Sequence, residues 1–259
     1  GTTVALILAR HFRWRKILSF YPPKSRKDQK SLSSEHKNKF DLCYGHIPFI
    51  PDQNIERGIE YFTFLRNPRE RLLSGYRYIK SDKSHGITKL INLDYTLKDF
   101  LKEGAFKNFD NSMVRFISGN IEKQYLEINE EDLRQALKNF DAHFNIFGIT
   151  EYFNESLVLL SDYMHWPPLY YVKENKSTYK IDPKEFDDET ERLILACIKY
   201  DEVLYEHALK RFLKLMEQKQ HVINAGLEEL RKGNEKRKTI LSLRGKASLL
   251  YSYLKIKLK

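Results

Sequence analysis

Tyr61-Phe62-Thr63-Phe64-Leu65-Arg66-Asn67-Pro68-Arg69-Glu70-Arg71-Leu72-Leu73-Ser74-Gly75-Tyr76 is the stretch on which the reading of the fold turns. Its first five residues are aromatic or apolar apart from Thr63 and contain no turn former, the pattern of a buried strand. Asn67 is a good N-cap, Pro68 suits the first helical position, and Glu70 completes a capping box. The helix is expected to reach about Ile79. A strand that turns at once into a capped helix is the unit of a parallel α/β layer fold, and ligands bind such sheets at the carboxyl ends of their strands. The helix N-terminus offers N–H groups and a positive dipole end to an anion, and Arg66 adds a forked guanidinium suited to phosphate. Ser74 lies roughly 10 Å further along at about 1.5 Å per residue, so Arg66 reaching back along the flank would let both hold one phosphate. Arg71, Ser74 and Tyr78 share a helical stripe. Taken alone, the residues fit equally well a strand-end ion pair at Arg66 and a small packing residue at Ser74.

Outward from this unit the chain alternates. Residues 4–20 carry Val4, Leu6, Ile7, Leu8, Phe12, Ile17 and Leu18 among basic residues and read as one helix, stopped by Pro22-Pro23. Residues 24–39 read as a polar basic loop and residues 40–45 as a short strand. Helices are expected over 97–102, 111–117, 130–139, 154–163 and 187–220, with a strand within 143–149 and an extended stretch over 169–173. Beyond His221, helical patterns are interrupted by Gly226, Gly233 and Gly245. The expected fold is α/β: a central parallel sheet with additional helices and a helical extension. A boundary near 215 would separate a domain over 1–215 from a basic tail over 216–259.

Composition fits a folded chain of 259 residues, 41% hydrophobic and 13% aromatic. No apolar run is long enough for a transmembrane helix. Cys43 and Cys197 give neither a disulfide framework nor a zinc pattern and read as two separate buried thiols. The net charge of +10 is uneven: 210–259 hold 14 basic and 4 acidic residues, and 1–40 hold 10 and 2. Either cluster would attract an anionic partner or simply be a solvated face. The tail interleaves Ile240, Leu241, Leu249, Leu250, Tyr251 and Leu254 with basic residues, so membrane-surface contact and packing on the body both remain open. No intact G-x-x-x-x-G-K-(S/T) loop and no acidic pair for magnesium support a P-loop kinase.

Residues 65–76 resemble the 3′-phosphate-binding signature of carbohydrate sulfotransferases, Arg-(Asp/Asn)-Pro-x-x-Arg-x-x-Ser-x-Tyr, complete and in the strand-to-helix setting. Gly1-Thr2-Thr3 resembles the end of the family's 5′-phosphosulfate loop, whose preceding strand and Pro-Lys-Thr are not in this sequence, so the chain reads as N-terminally truncated. Tyr44-Gly45-His46 resembles the Gly-His segment of the branch containing heparan sulfate 2-O-sulfotransferase. Asn111-Ser112-Met113-Val114-Arg115-Phe116-Ile117-Ser118-Gly119, Phe147-Gly148-Ile149-Thr150-Glu151 and Asn175-Lys176-Ser177 also look familial. The likeness fades beyond 212.

The resemblance implies a P-loop nucleotide-kinase-like sheet and an enzyme that uses 3′-phosphoadenosine-5′-phosphosulfate (PAPS), with no metal, to sulfate a carbohydrate hydroxyl. His46 would be the base, since imidazole titrates near neutral pH. Gly1, Thr2 and Thr3 would meet the 5′-phosphate, Arg66 and Ser74 the 3′-phosphate, and Lys176 and Ser177 the nucleotide from a closing loop. Arg115 would contact an anionic acceptor or the donor. Expected partners are a carbohydrate acceptor, with anionic polysaccharide among the candidates, and no specific nucleic acid. The bacterial type implies the cytoplasm, an animal type a Golgi anchor. The family's loop Lys stabilises the leaving oxygen. The chain as given is therefore expected to turn over slowly with radiolabelled donor; a full native rate would show that loop to be dispensable.

Overall fold

The computed structural model describes residues 2–12, 16–20, 39–51, 59–81, 95–104, 109–171 and 179–236. In chain order these form α1 (Thr2–His11), β1 (Ile17–Phe20), β2 (Leu42–Gly45), β3 (Phe64–Leu65), α2 (Pro68–Ser81), α3 (Leu97–Glu103), α4 (Ser112–Ser118), α5 (Glu130–His143), β4 (Gly148–Ile149), α6 (Phe153–Tyr163), α7 (Asp188–Gln218) and a helix over 220–236, α8. The chain divides into two compact units: Gly1–Phe62 with Tyr152–Asn175 and Leu215–Lys259, and Thr63–Glu151 with Lys176–Lys214. Among the described residues, sheet pairing is parallel and confined to two pairs, β1 with β2 and β3 with β4. The α/β character and the parallel sense are as expected.

In the first unit, β1 is a correction. Residues 4–20 do not form one helix: α1 ends at His11, and Ile17–Phe20 is a strand in register with Leu42–Gly45. The run Ile-Leu-Ser-Phe has few helical preferences strong enough to resist a partner strand, so pairing overrides the apolar period. Leu42 and Tyr44 point inward and Cys43 and Gly45 outward, and the inner face packs on Ala5, Leu8 and Ile17. Cys43 is therefore exposed, contrary to the expected pair of buried thiols; Cys197 is buried. Gly226 and Gly233 do not interrupt α8. A Cβ at Gly226 would lie 2.5 Å from Val158 Cγ1, and one at Gly233 would lie 1.8 Å from the Tyr170 ring. Both glycines are places where a neighbouring segment presses onto the helix backbone.

In the second unit, Leu72, Leu73, Tyr76 and Ile79 of α2 share a core with Leu97, Phe100 and Leu101 of α3 and with Ile194, Cys197 and Ile198 of α7. Thr96 and Asp99 cap α3 reciprocally, and Asn129 and Asp132 do the same for α5. The expected strands at 61–65 and 143–149 shrink to two residues each.

α4 and α7 are joined by a buried polar interlock. Asn111 sits in the left-handed region at φ 43°, which Asn tolerates better than most side chains. Its backbone N–H donates to Cys197 O at 2.6 Å, while Tyr200 N and Asp201 N donate to its Oδ1 at 2.7 and 3.2 Å. The side chain is thus inserted into the hydrogen-bond ladder of α7. Asp201 returns the favour: its two oxygens accept from Met113 N at 3.0 Å and Val114 N at 2.8 Å, in the first turn of α4. Leaving a buried donor unpaired costs about 1–3 kcal/mol. Asn111→Ala should therefore lower stability by about that amount or more, measured by urea unfolding. Asn111→Gly should be nearly as damaging, because it keeps the left-handed freedom and loses the acceptor; a fully stable Gly variant would show that backbone conformation alone selects Asn here.

Candidate active site

The candidate site in the second unit is built on the turn from β3 to α2. Gly148 N donates to Thr63 O at 2.8 Å, and β3 and β4 run in register from Phe64 opposite Gly148. A Cβ at Gly148 would meet the Phe64 ring at 2.4 Å, so the two strands approach this closely only because position 148 has no side chain. At the carboxyl end of the pair, Thr150 Oγ1 donates to Leu65 O at 2.9 Å. Glu151 accepts from Asn67 N at 2.9 Å through one oxygen and from the Tyr205 hydroxyl at 3.0 Å through the other. Thr150 and Glu151 thereby fix the turn that carries Arg66. The quoted segment 147–151 held these residues without a role; the sequence signal is their place just beyond a second parallel strand.

This geometry corrects the capping reading. Glu70 N donates to Asn67 Oδ1 at 3.0 Å, so Asn67 is the cap. The reciprocal half comes from Glu151, not Glu70, whose carboxylate faces Arg66 at 3.5 Å and Arg77 at 3.7 Å. With Pro68 lacking an N–H and Asn67 N bonded to Glu151, little of the N-terminus of α2 remains open. An anion here would be held by side chains along the flank of the helix.

Those side chains are distinct. Arg66 is partly exposed and, among the described residues, makes only the long contact to Glu70. Arg69 forms two 2.6 Å bonds to Glu191 of α7, which raise its pKa above the usual arginine value and lower that of Glu191. Arg71 Nε donates to Ser112 Oγ at 2.6 Å. Burial pushes the Arg71 pKa down, Asp201 pulls it up, and the charge of Arg66 pushes it down again. Ser74 is half-buried two turns into α2, and among the described residues its hydroxyl has no hydrogen-bond partner. Gly75 admits the Phe109 ring, which would stand 2.0 Å from a Cβ. Tyr76 is a core residue: it is buried, donates to Tyr95 O at 3.2 Å, and its pKa is raised by burial first.

Arg115 is a correction. The sequence reading makes it a contact for an anionic acceptor or the donor, yet both it and Asp110 are fully buried. Its Nη2 donates to Asp110 Oδ1 at 2.7 Å and Gln124 O at 2.6 Å, Nη1 to Lys123 O at 2.8 Å, and Nε to Asp110 O at 3.0 Å. The guanidinium ties the end of α4 to the following loop and presents nothing to solvent.

In the first unit, β2 ends at Gly45, whose φ of 145° favours glycine, and the exposed His46 follows immediately. Thr2 and Thr3 form the first turn of α1. Gly1, Lys176 and Ser177 lie outside the described residues, as do most of the basic loop over 24–39 and the tail from 237. Among the described residues, no group of three His, Cys, Asp or Glu side chains would hold a metal, and no helix is long and apolar enough to cross a membrane.

At this turn a strand-end arginine, a second arginine and a serine hydroxyl without a partner among the described residues lie on one helix flank, and the family comparison gives the class: a carbohydrate sulfotransferase. Residues 10–255 match the model of the galactose-3-O-sulfotransferase family, running well past the point where the motif likeness fades. The chain belongs to that family, a different branch name from the one its Gly-His segment suggests. No curated protein and no solved structure matches it.

Removing Arg115 strands a buried carboxylate. Arg115→Ala should cost about 3–5 kcal/mol, as for other broken buried pairs, visible as a lowered unfolding midpoint. A stable Arg115→Ala protein with a raised acceptor KM would restore the acceptor role.

Proposed function

We propose that the chain transfers a sulfuryl group from PAPS to a hydroxyl of a carbohydrate, with a galactosyl 3-hydroxyl as the first acceptor to try. The acceptor follows the family's description. The observation that carries the donor reading is the flank of α2: Arg66 partly exposed, Arg71 partly buried beside it, and Ser74 with a hydroxyl that has no partner among the described residues. Charged donors of this kind match a phosphate in number and sign, so the residues present fit the 3′-phosphate of the donor.

The donor supplies an electrophilic sulfuryl group when bound. Arg66 and Ser74 hold the 3′-phosphate. His46 takes the proton from the acceptor hydroxyl through a ring nitrogen, which raises its nucleophilicity. The basic tail has no part in this proposed chemistry, and a membrane surface is its alternative partner.

Sulfation of galactosides by PAPS, with the product's position determined by mass spectrometry and NMR, tests the reaction. His46→Ala should lower kcat by about 10²- to 10⁴-fold, the usual range for a general base, with donor affinity kept. Arg66→Ala should weaken binding of 3′,5′-ADP by about 1.5–3 kcal/mol, as for a hydrogen bond to a charged group, measured by calorimetry. Unchanged affinity would remove Arg66 from the donor site.

A further inference from the structure

A cleft of about 510 Å³ lies in the first unit between α6, the stretch that follows it and α8. Leu157 and Val158 of α6, with Leu169 and Leu230, are its buried apolar lining. Val222, Ala225, Gly226 and Glu229 recur at helical spacing on one face of α8 and form a wall. That wall is low, because Ala225 and Gly226 carry little or no side chain, and Val158 presses on the helix backbone at 226. Two carboxylates complete the lining. Asp162 is met by Lys219 at 3.1 Å. Glu229 is exposed, accepts from the Tyr170 hydroxyl at 3.4 Å and has no cationic partner among the described residues. Apolar walls with an unmatched carboxylate suit an apolar segment that carries positive charge.

The chain supplies such a segment directly beyond α8. Residues 237–259 hold seven Lys or Arg and no Asp or Glu. They belong to the same compact unit as residues 152–175, which carry the α6 side of the cleft. The family match runs through them as far as residue 255, so this stretch is part of the shared domain. Ile240, Leu241 and Leu243 form an apolar group between Lys238 and Arg244. From the end of α8 at residue 236, Glu229 lies about 10 Å back along the helix and Val222 about 21 Å back. A chain that doubles back at roughly 3.3 Å per residue comes abreast of Glu229 near residue 240 and of Val222 near residue 243. The apolar group therefore falls along the length of the cleft.

We propose that residues 238–244 fold back along α8 and dock in this cleft, with Ile240, Leu241 and Leu243 on the apolar lining, Lys238 toward Glu229 and Arg244 toward Asp162. The occupant is the protein's own tail. While docked, this part of the tail is withheld from a membrane surface.

The test is limited trypsin digestion of the full chain, with cleavage after Lys238 and after Lys255 followed by mass spectrometry and folding checked by circular dichroism. Cleavage after Lys238 should be at least about 10-fold slower than after Lys255, since proteolysis follows the population of the open form. Glu229→Lys and Leu241→Asp should each remove that difference, and Glu217→Lys, an exposed charge reversal outside the cleft, should keep it. In a Cys43→Ser background, Val222→Cys with Leu243→Cys should oxidise to a disulfide within one chain. Equal cleavage at the two sites in the wild-type protein, protection that survives both cleft variants, or a disulfide that forms only between chains overturns the docking. So does protection that grows with protein concentration, which assigns the cleft to a second copy, or that needs phosphatidylserine vesicles, which assigns the tail to a membrane. If Glu229→Lys fails to fold, Leu241→Asp decides the outcome, because it lies beyond α8.

Discussion

The contact on which the second unit depends is the exchange between Asn111 and Asp201. Each side chain satisfies backbone donors of the helix that carries the other: Asn111 Oδ1 accepts from Tyr200 and Asp201 in α7, and Asp201 accepts from Met113 and Val114 in α4. Burial pushes the Asp201 carboxyl up to about 6, against the two N–H groups and Arg71, which favour its charged form. Because these groups are buried, the alternative to the exchange is several unpaired donors and acceptors. The exchange fixes the register of α4 on α7. That register places Ser112 for Arg71 and, next to Asn111, Asp110 for Arg115.

From this follows a division among residues of one type. Arg66, Arg69, Arg71, Arg77 and Arg115 are chemically identical, and their fates diverge with their neighbours. Arg69 and Arg115 are structural because a carboxylate meets them squarely. Arg66 and Arg77 share one distant carboxylate. Arg71 is partly buried and donates to a hydroxyl. Positive charge is concentrated at the β3–α2 turn, where Glu70 is shared between Arg66 and Arg77 and, among the described residues, Arg71 has no carboxylate partner. Glu151, the acidic neighbour, is engaged by the Asn67 amide through one oxygen and the Tyr205 hydroxyl through the other.

The signature at 65–76 is legible because its parts act locally. A strand end, an N-cap, a proline in the first turn and a serine two turns on are set by nearest-neighbour geometry, and α2 begins at Pro68 as the sequence implies. The caps at Thr96 and Asn129 are local in the same way, each exchanging hydrogen bonds with the residue three positions on. Legibility fails where a partner far along the chain decides. Residues 17–20 read as helix until β2 pairs with them. Gly226 and Gly233 read as breaks until Val158 and Tyr170 are seen pressing on them. Arg115 reads as a ligand contact until Asp110 and two carbonyls enclose it.

The amino-acid sequence by itself determined the strand-to-helix turn, the helix caps, the charge concentrated at the chain's two ends and the sulfotransferase signature, all of them properties of neighbouring residues. Only the tertiary structure decided which arginines are matched and which is left open, which residue completes the cap of α2, and why position 111 is an asparagine. Each of those depends on a burial and a partner supplied by residues tens of positions away, where local propensity carries no information.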